Sequence, residues 1–211
     1  MNKLTLLSFL LFFLNVFGQN SENKIASKTI RNFFSFIPCK VDKINGLSMG
    51  IWAENLKSKQ DSLIINGINL EINPTILFIY NYSGGIYISN IDNDSSYIES
   101  RKTKYNLTDI NGLNLSIPRF SNLTSKINGV SFTLLTICTG EINGVSISGL
   151  TNCSYNLNGI SICAGYNSSN TVRGIQIGLF NRAKKLRGIQ IGLWNKNGKR
   201  SLPFLNWQFR D

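Results

Sequence analysis

Val172–Asn195 reads VRGIQIGLFNRAKKLRGIQIGLWN, in which the phrase GIQIGL(F/W)N occurs twice, at Gly174–Asn181 and Gly188–Asn195. A looser form of it, apolar, Asn or Arg, Gly, apolar, small polar, apolar, occurs eight times along the chain. Its glycines are Gly46, Gly67, Gly112, Gly129, Gly144, Gly159, Gly174 and Gly188, and from Gly129 onward they are 15, 15, 15 and 14 residues apart. A fixed period of this length means stacked copies of one structural unit.

Aligning the copies on the glycine separates them into columns. The lead column, two residues before the glycine, is Ile44, Ile65, Ile110, Ile127, Ile142, Leu157, Val172 and Leu186. The amide column, one residue before, is Asn six times and then Arg173 and Arg187. The first apolar column, one residue after, is Leu47, Ile68, Leu113, Val130, Val145, Ile160, Ile175 and Ile189. The second, three after, is Met49, Leu70, Leu115, Phe132, Ile147, Ile162, Ile177 and Ile191. Between these two lies a small polar column of Ser, Asn or Gln. Apolar–polar–apolar alternation with β-branched residues describes strands with one buried face. The recurring glycine speaks against helix. This reading puts both apolar columns inside and the polar column outside. The lead and first apolar columns are three residues apart, so burying both requires a corner at the Asn-Gly pair, which suits positive φ.

The expected fold is therefore all-β, a β-solenoid with coils of about 15 residues; the alternative is an antiparallel outer-membrane β-barrel or meander. A solenoid repeats the same corner in every coil, as this sequence does. Residues 1–18 are expected to be a secretory signal, with Lys3 ahead of a short apolar run and Val16 and Gly18 before the cleavage point. Residues 19–43 form an N-terminal cap segment with Phe33, Phe34, Phe36 and Ile37. The array spans 44–195. Gly67 and Gly112 are 45 residues apart, three periods, with a worn copy at Gly85–Ile88 and an inserted polar loop at about 91–108. Residues 196–211 form a C-terminal cap carrying Pro203, Phe204, Trp207 and Phe209. Trp194 and Trp207 read as cap or core in preference to an exposed sugar platform. Asn152, Asn167, Asn181 and Asn195, one per coil, suit a hydrogen-bonded ladder.

The run Val172–Asn195 resembles the bacterial envelope proteins described as surface repeat-containing, whose hallmark is a repeated G-hydrophobic-Q-hydrophobic-G-L-hydrophobic-N phrase. The resemblance covers about residues 110–207, including the Pro-containing, Asn-Trp ending at Leu202–Trp207. It implies export and an envelope location, and no reaction. The earlier copies depart from the hallmark, with Ser or Asn in place of Gln.

The chain contains no histidine, which removes Ser-His-Asp and Cys-His nucleophilic sites and most zinc sites. The cysteines Cys39, Cys138, Cys153 and Cys163 lack metal-ligand spacing. Cys138 and Cys153 are one period apart, placing them as stacked thiols or, less favoured, a disulfide. Asp92, Asp94 and Glu99 are the one acidic cluster, read as a solvated loop rather than a calcium site. The expectation is a non-enzyme with no cofactor and no metal.

Charge points elsewhere. The net charge is +11, and the only acid after Glu141 is Asp211. Arg173, Arg182, Lys184, Lys185, Arg187, Lys196, Lys199 and Arg200 make a candidate anionic-surface patch, with Arg173 and Arg187 stacked in successive coils and a turn at 182–185 nearby. Such a patch attracts anionic lipid, lipopolysaccharide or glycan. Nucleic acid is not expected for an exported chain, and the sequence names no protein partner. The expected location is periplasm, outer membrane or cell surface.

Overall fold

The computed structural model describes residues 29–56, 62–72, 107–117, 119–120 and 125–209. The signal segment, the copy at Gly85–Ile88 and the Asp92/Asp94/Glu99 cluster lie outside the described residues, as does the loop expected at 91–108 except for Leu107 and Thr108. Eleven strands occur among the described residues: β1 (Ile30–Cys39), β2 (Lys43–Asn55), β3 (Leu63–Ile72), β4 (Thr108–Ile117), β5 (Arg119–Phe120), β6 (Lys126–Thr133), β7 (Thr136–Ser148), β8 (Thr151–Cys163), β9 (Tyr166–Ile177), β10 (Phe180–Lys196) and β11 (Ser201–Gln208). They run in chain order through one sheet, with the short β5 pairing aside on β7.

From β1 to β10 every step along the sheet is parallel, and each motif glycine sits opposite the glycine of the next copy. Stacked parallel coils in this register make a β-solenoid with coils of about 15 residues. An antiparallel barrel does not describe it, since only the last step, β10 to β11, is antiparallel. β3 pairs directly with β4, Gly67 opposite Gly112. The 45-residue interval is thus a single step in the order of the stack.

The Asn-Gly pair is not the break in the strand. The ladder from Glu141 to Ser148 runs through Gly144 without interruption, and the bends fall later, at 134–135, 149–150 and 164–165. The glycine is needed for another reason. Gly159 has φ +139°, and a Cβ there would sit 2.0 Å from the carbonyl oxygen of Gly144 in the coil below. Only glycine permits this approach of stacked backbones.

A strand that runs straight through the glycine cannot bury residues three apart, and this reverses the expected faces. The lead column is buried, and so is the small polar column: Ser48, Asn69, Asn114, Ser131, Ser146, Ser161, Gln176 and Gln190. Lead residue, glycine and polar residue share one parity, so they share the inward side. Both apolar columns point outward, half-buried or exposed. A third apolar column, five residues after the glycine, joins them with Ile51, Ile72, Ile117, Leu134, Leu179 and Leu193 exposed.

Two apolar clusters hold the interior. Ile37, Val41, Ile44, Ala53, Leu63, Ile65 and Ile110 form one, and Ile142, Leu157, Val172, Ala183 and Leu186 the other. The buried polar column survives because it is paired. Asn69 donates to Asn114 at 2.8 Å, Asn114 to Ser131 at 2.9 Å, Gln190 to Gln176 at 2.8 Å and Asn206 to Gln190 at 3.0 Å. Satisfied networks of this kind avoid the penalty of burying amides. The expected ladder of closing asparagines exists from Asn167 to Asn181 (2.8 Å) and from Asn181 to Asn195 (2.7 Å). Asn152 instead donates to the Ile162 carbonyl and accepts from Ser146.

The caps differ from the expectation in their packing. β1 is itself a parallel rung, with Phe33 and Phe36 88% and 68% exposed. β11 does lie across the last coil, but its Trp207 is half exposed, as is Trp194 in β10. The four cysteines are free thiols, with Cys138 and Cys153 opposite each other in neighbouring coils.

Candidate functional site

The amide column is where the two ends of the solenoid part company. In the first seven rungs it is asparagine, and each side chain donates to the one below: Asn45 to Asn32, Asn66 to Asn45, Asn111 to Asn66, Asn128 to Asn111, Asn143 to Asn128 and Asn158 to Asn143, all at 2.7–2.9 Å. The last two rungs carry Arg173 and Arg187 instead, opposite each other and both exposed. Neighbouring parallel strands are about 4.8 Å apart, so two like charges stand side by side. That arrangement favours a bound anion.

Lys185, opposite Thr171, adds a third cation. A recess of about 280 Å³ is lined by Thr171, Val172, Arg173, Lys185, Leu186 and Arg187. No carboxylate lines it, and its other lining residues include the buried lead-column pair Val172 and Leu186. Residues 182–185 are not a turn; they belong to β10, which carries Lys184 and Lys185 on an extended backbone. Lys184 is exposed, and Arg182 is half-buried with its carbonyl accepting from Gln176.

The remaining cations of the candidate patch sit around the hairpin between β10 and β11. Lys196 ends β10, and its carbonyl accepts from Gln190 at 3.2 Å. The backbone N–H groups of Lys199 and Arg200 donate to Asn197 Oδ1 at 2.9 and 2.8 Å. The Arg200 guanidinium lies over the Trp207 ring at 4.9 Å from its centroid, donates to Asn206 Oδ1 at 3.0 Å and also reaches the Trp207 carbonyl. Arg200 therefore braces the C-terminal strand. A second, open depression next to it is lined by Lys199, Arg200, Trp207, Gln208 and Phe209. The eight residues of the sequence-based patch thus divide into a recess of three, a hairpin group of three, and Arg182 and Lys184 between them along β10.

Elsewhere among the described residues some ionisable groups are paired or buried. Lys126 and Glu141, opposite each other, pair at 3.3 Å. Burial, and after it the neighbouring Cys153 thiol, pushes Cys138 well above the ordinary thiol range. Burial pushes Cys163 up to about 11 and also raises Cys39. Such thiols are poor nucleophiles at neutral pH. No group of three or more metal-ligating side chains occurs among the described residues.

The feature that sequence reasoning missed is the outward turn of the apolar columns. A signal for it was present. The third apolar column continues the parity of the other two, and three apolar columns on one parity against an apolar lead and a polar column on the other cannot all face inward. Comparison with family models, with curated proteins and with solved structures gives no match.

Proposed function

We propose that this chain is an exported, non-enzymatic protein of a bacterial envelope, with a structural or interaction role, contacting anionic lipid, lipopolysaccharide or glycan through its basic C-terminal end. The carrying observation is the recess that Arg173, Lys185 and Arg187 line together, with no carboxylate among its lining residues. A phosphate or carboxylate there would receive charge-assisted hydrogen bonds from two planar guanidinium groups, a geometry suited to bidentate binding. The resemblance of the Gln-containing copies to surface repeat-containing proteins supports the envelope assignment, as does the leader-like segment 1–18.

The decisive experiment is co-sedimentation with vesicles at low and high salt. Binding to anionic vesicles that falls with salt, and that weakens in an Arg173→Asn/Arg187→Asn double variant, is the expected result. Equal binding to neutral and anionic vesicles at low salt would sink the reading. Competition by a soluble anionic polysaccharide tells a glycan ligand from a lipid one. Fractionation of expressing cells tests the envelope location.

A further inference from the structure

The three apolar columns form one continuous outward face. β1 and β11 extend it beyond the repeats: Phe34 and Phe36 lie opposite Leu47 and Met49, and Trp207 and Leu205 lie opposite Ile189 and Ile191. With strands about 4.8 Å apart, ten rungs carry the first two columns along about 43 Å of the stack, and the third adds Ile51, Ile72, Ile117, Leu134, Leu179 and Leu193 beside them, giving way to Gly149 and Ala164 at two rungs. A contiguous apolar face of this kind, half-buried to exposed along its length, is of the sort that marks an interaction site.

We propose that this face docks into the acyl layer of an anionic membrane leaflet as a peripheral contact that does not span it. The proposal rests on the reading of the chain as a lipid-contacting envelope protein and names the surface that makes the contact. Three observations select lipid as the occupant. None of the repeat residues in the three columns is charged or carries a hydrogen-bonding side chain. Acyl chains need no such group, whereas protein partners normally exchange about one hydrogen bond per 100–200 Å². The backbone groups of the inner strands β2 to β10 are paired rung to rung, so the middle of the face meets a low-dielectric layer with its N–H and C=O groups bonded, and the open edges are confined to β1 and β11 at the two ends. Charge is complementary too. The amide column borders the first apolar column across a single glycine, and Arg173 and Arg187 stand on that border, where headgroup phosphates would lie. Trp194 and Trp207, half exposed at the same end, are the residue type enriched at membrane interfaces.

The test uses the full chain and vesicles of phosphatidylcholine and phosphatidylglycerol in equal parts, with and without brominated acyl chains. Trp52, Trp194 and Trp207 are the only tryptophans, and the leader-like segment 1–18 has none, so their fluorescence is blind to that segment. The expected result is flotation with anionic vesicles together with quenching by the brominated chains. A Phe132→Ser/Ile191→Gln double variant, unchanged in charge, then partitions about tenfold less. Flotation without quenching, with the double variant binding like the parent, overturns the docking face while the basic-end reading stands. No flotation on any vesicle overturns the docking face together with the lipid form of the basic-end reading. A dimer in sedimentation equilibrium that the double variant dissolves assigns the face to a second copy and likewise overturns the proposal. Quenching in the parent chain needs no variant, so it stays decisive if the double variant fails to fold.

Discussion

Past each motif glycine the two sides of the strand carry opposite chemistry, and the polar side is the buried one. On the inward side Gln176 and Gln190 are wholly buried and bonded to each other. On the outward side Ile191, the next residue, is 43% exposed. The difference shows that burial in a narrow stack of coils follows parity and hydrogen-bond satisfaction before hydrophobicity. Where the inner column holds primary amides, each offers a donor to one neighbour and an acceptor to the other, while the serines Ser146 and Ser161 donate to Asn152 and Asn167 instead. Asn206 on β11 supplies the partner at the last rung, donating to Gln190.

The largest break in this comparison is predicted at the residue between the two sides. Gly159→Ala drives a Cβ into the Gly144 carbonyl and strains a positive φ. It is expected to cost about 4 kcal/mol or abolish folding, read by urea denaturation followed by circular dichroism. Next comes Gln190→Ala, which orphans the amide oxygen of Gln176 and the amide N–H of Asn206 inside the stack. An expected loss of about 1–3 kcal/mol marks the inner column as structural. A loss under 0.5 kcal/mol, within surface-substitution scatter of about that size, would mean water replaces the ladder.

A third prediction follows from the inward thiols. Cys163 is raised in the folded state to about 11 from an ordinary value of 9.0. Folded protein then holds a proton that unfolded protein releases, so its contribution to stability is full below pH 9 and is lost as pH rises toward 11. Melting temperature should fall across that window and fall less in Cys163→Ser. In the native state at pH 7 an alkylating reagent should leave Cys138, Cys153 and Cys163 unmodified.

Smaller effects are expected on the outward side. Arg173→Asn extends the asparagine ladder by one rung and relieves the charge pair with Arg187. Stability should rise by up to about 1 kcal/mol while anion binding weakens. Ile191→Gln should change stability by no more than about 0.5 kcal/mol, because its side chain already meets solvent. A cost of several kcal/mol in a folded, monomeric chain would show that the apolar columns are core after all and would erase the comparison.

Much of this was legible beforehand. The period of the glycines determined that the chain stacks identical coils, because a repeat of 15 residues places like residues at like positions whatever the handedness or the faces. The same arithmetic placed Arg173 over Arg187 and Asn167, Asn181 and Asn195 in a ladder. Which parity faced inward was not legible, since alternation is symmetric between two faces and hydrophobicity pointed the wrong way. Nor was the step from Gly67 to Gly112, because counting periods cannot tell three steps of the stack from one. Lys185 joined the recess only once residues 182–185 proved to be strand.

By itself, then, the sequence determined the coil, its length and the columns, all of which are local and periodic properties. The tertiary structure alone decided what those columns face. Inside and outside exist only once the coils are stacked, and the straight passage of the ladder through each glycine left room inward for one parity, the one whose small polar side chains find hydrogen-bond partners within the stack.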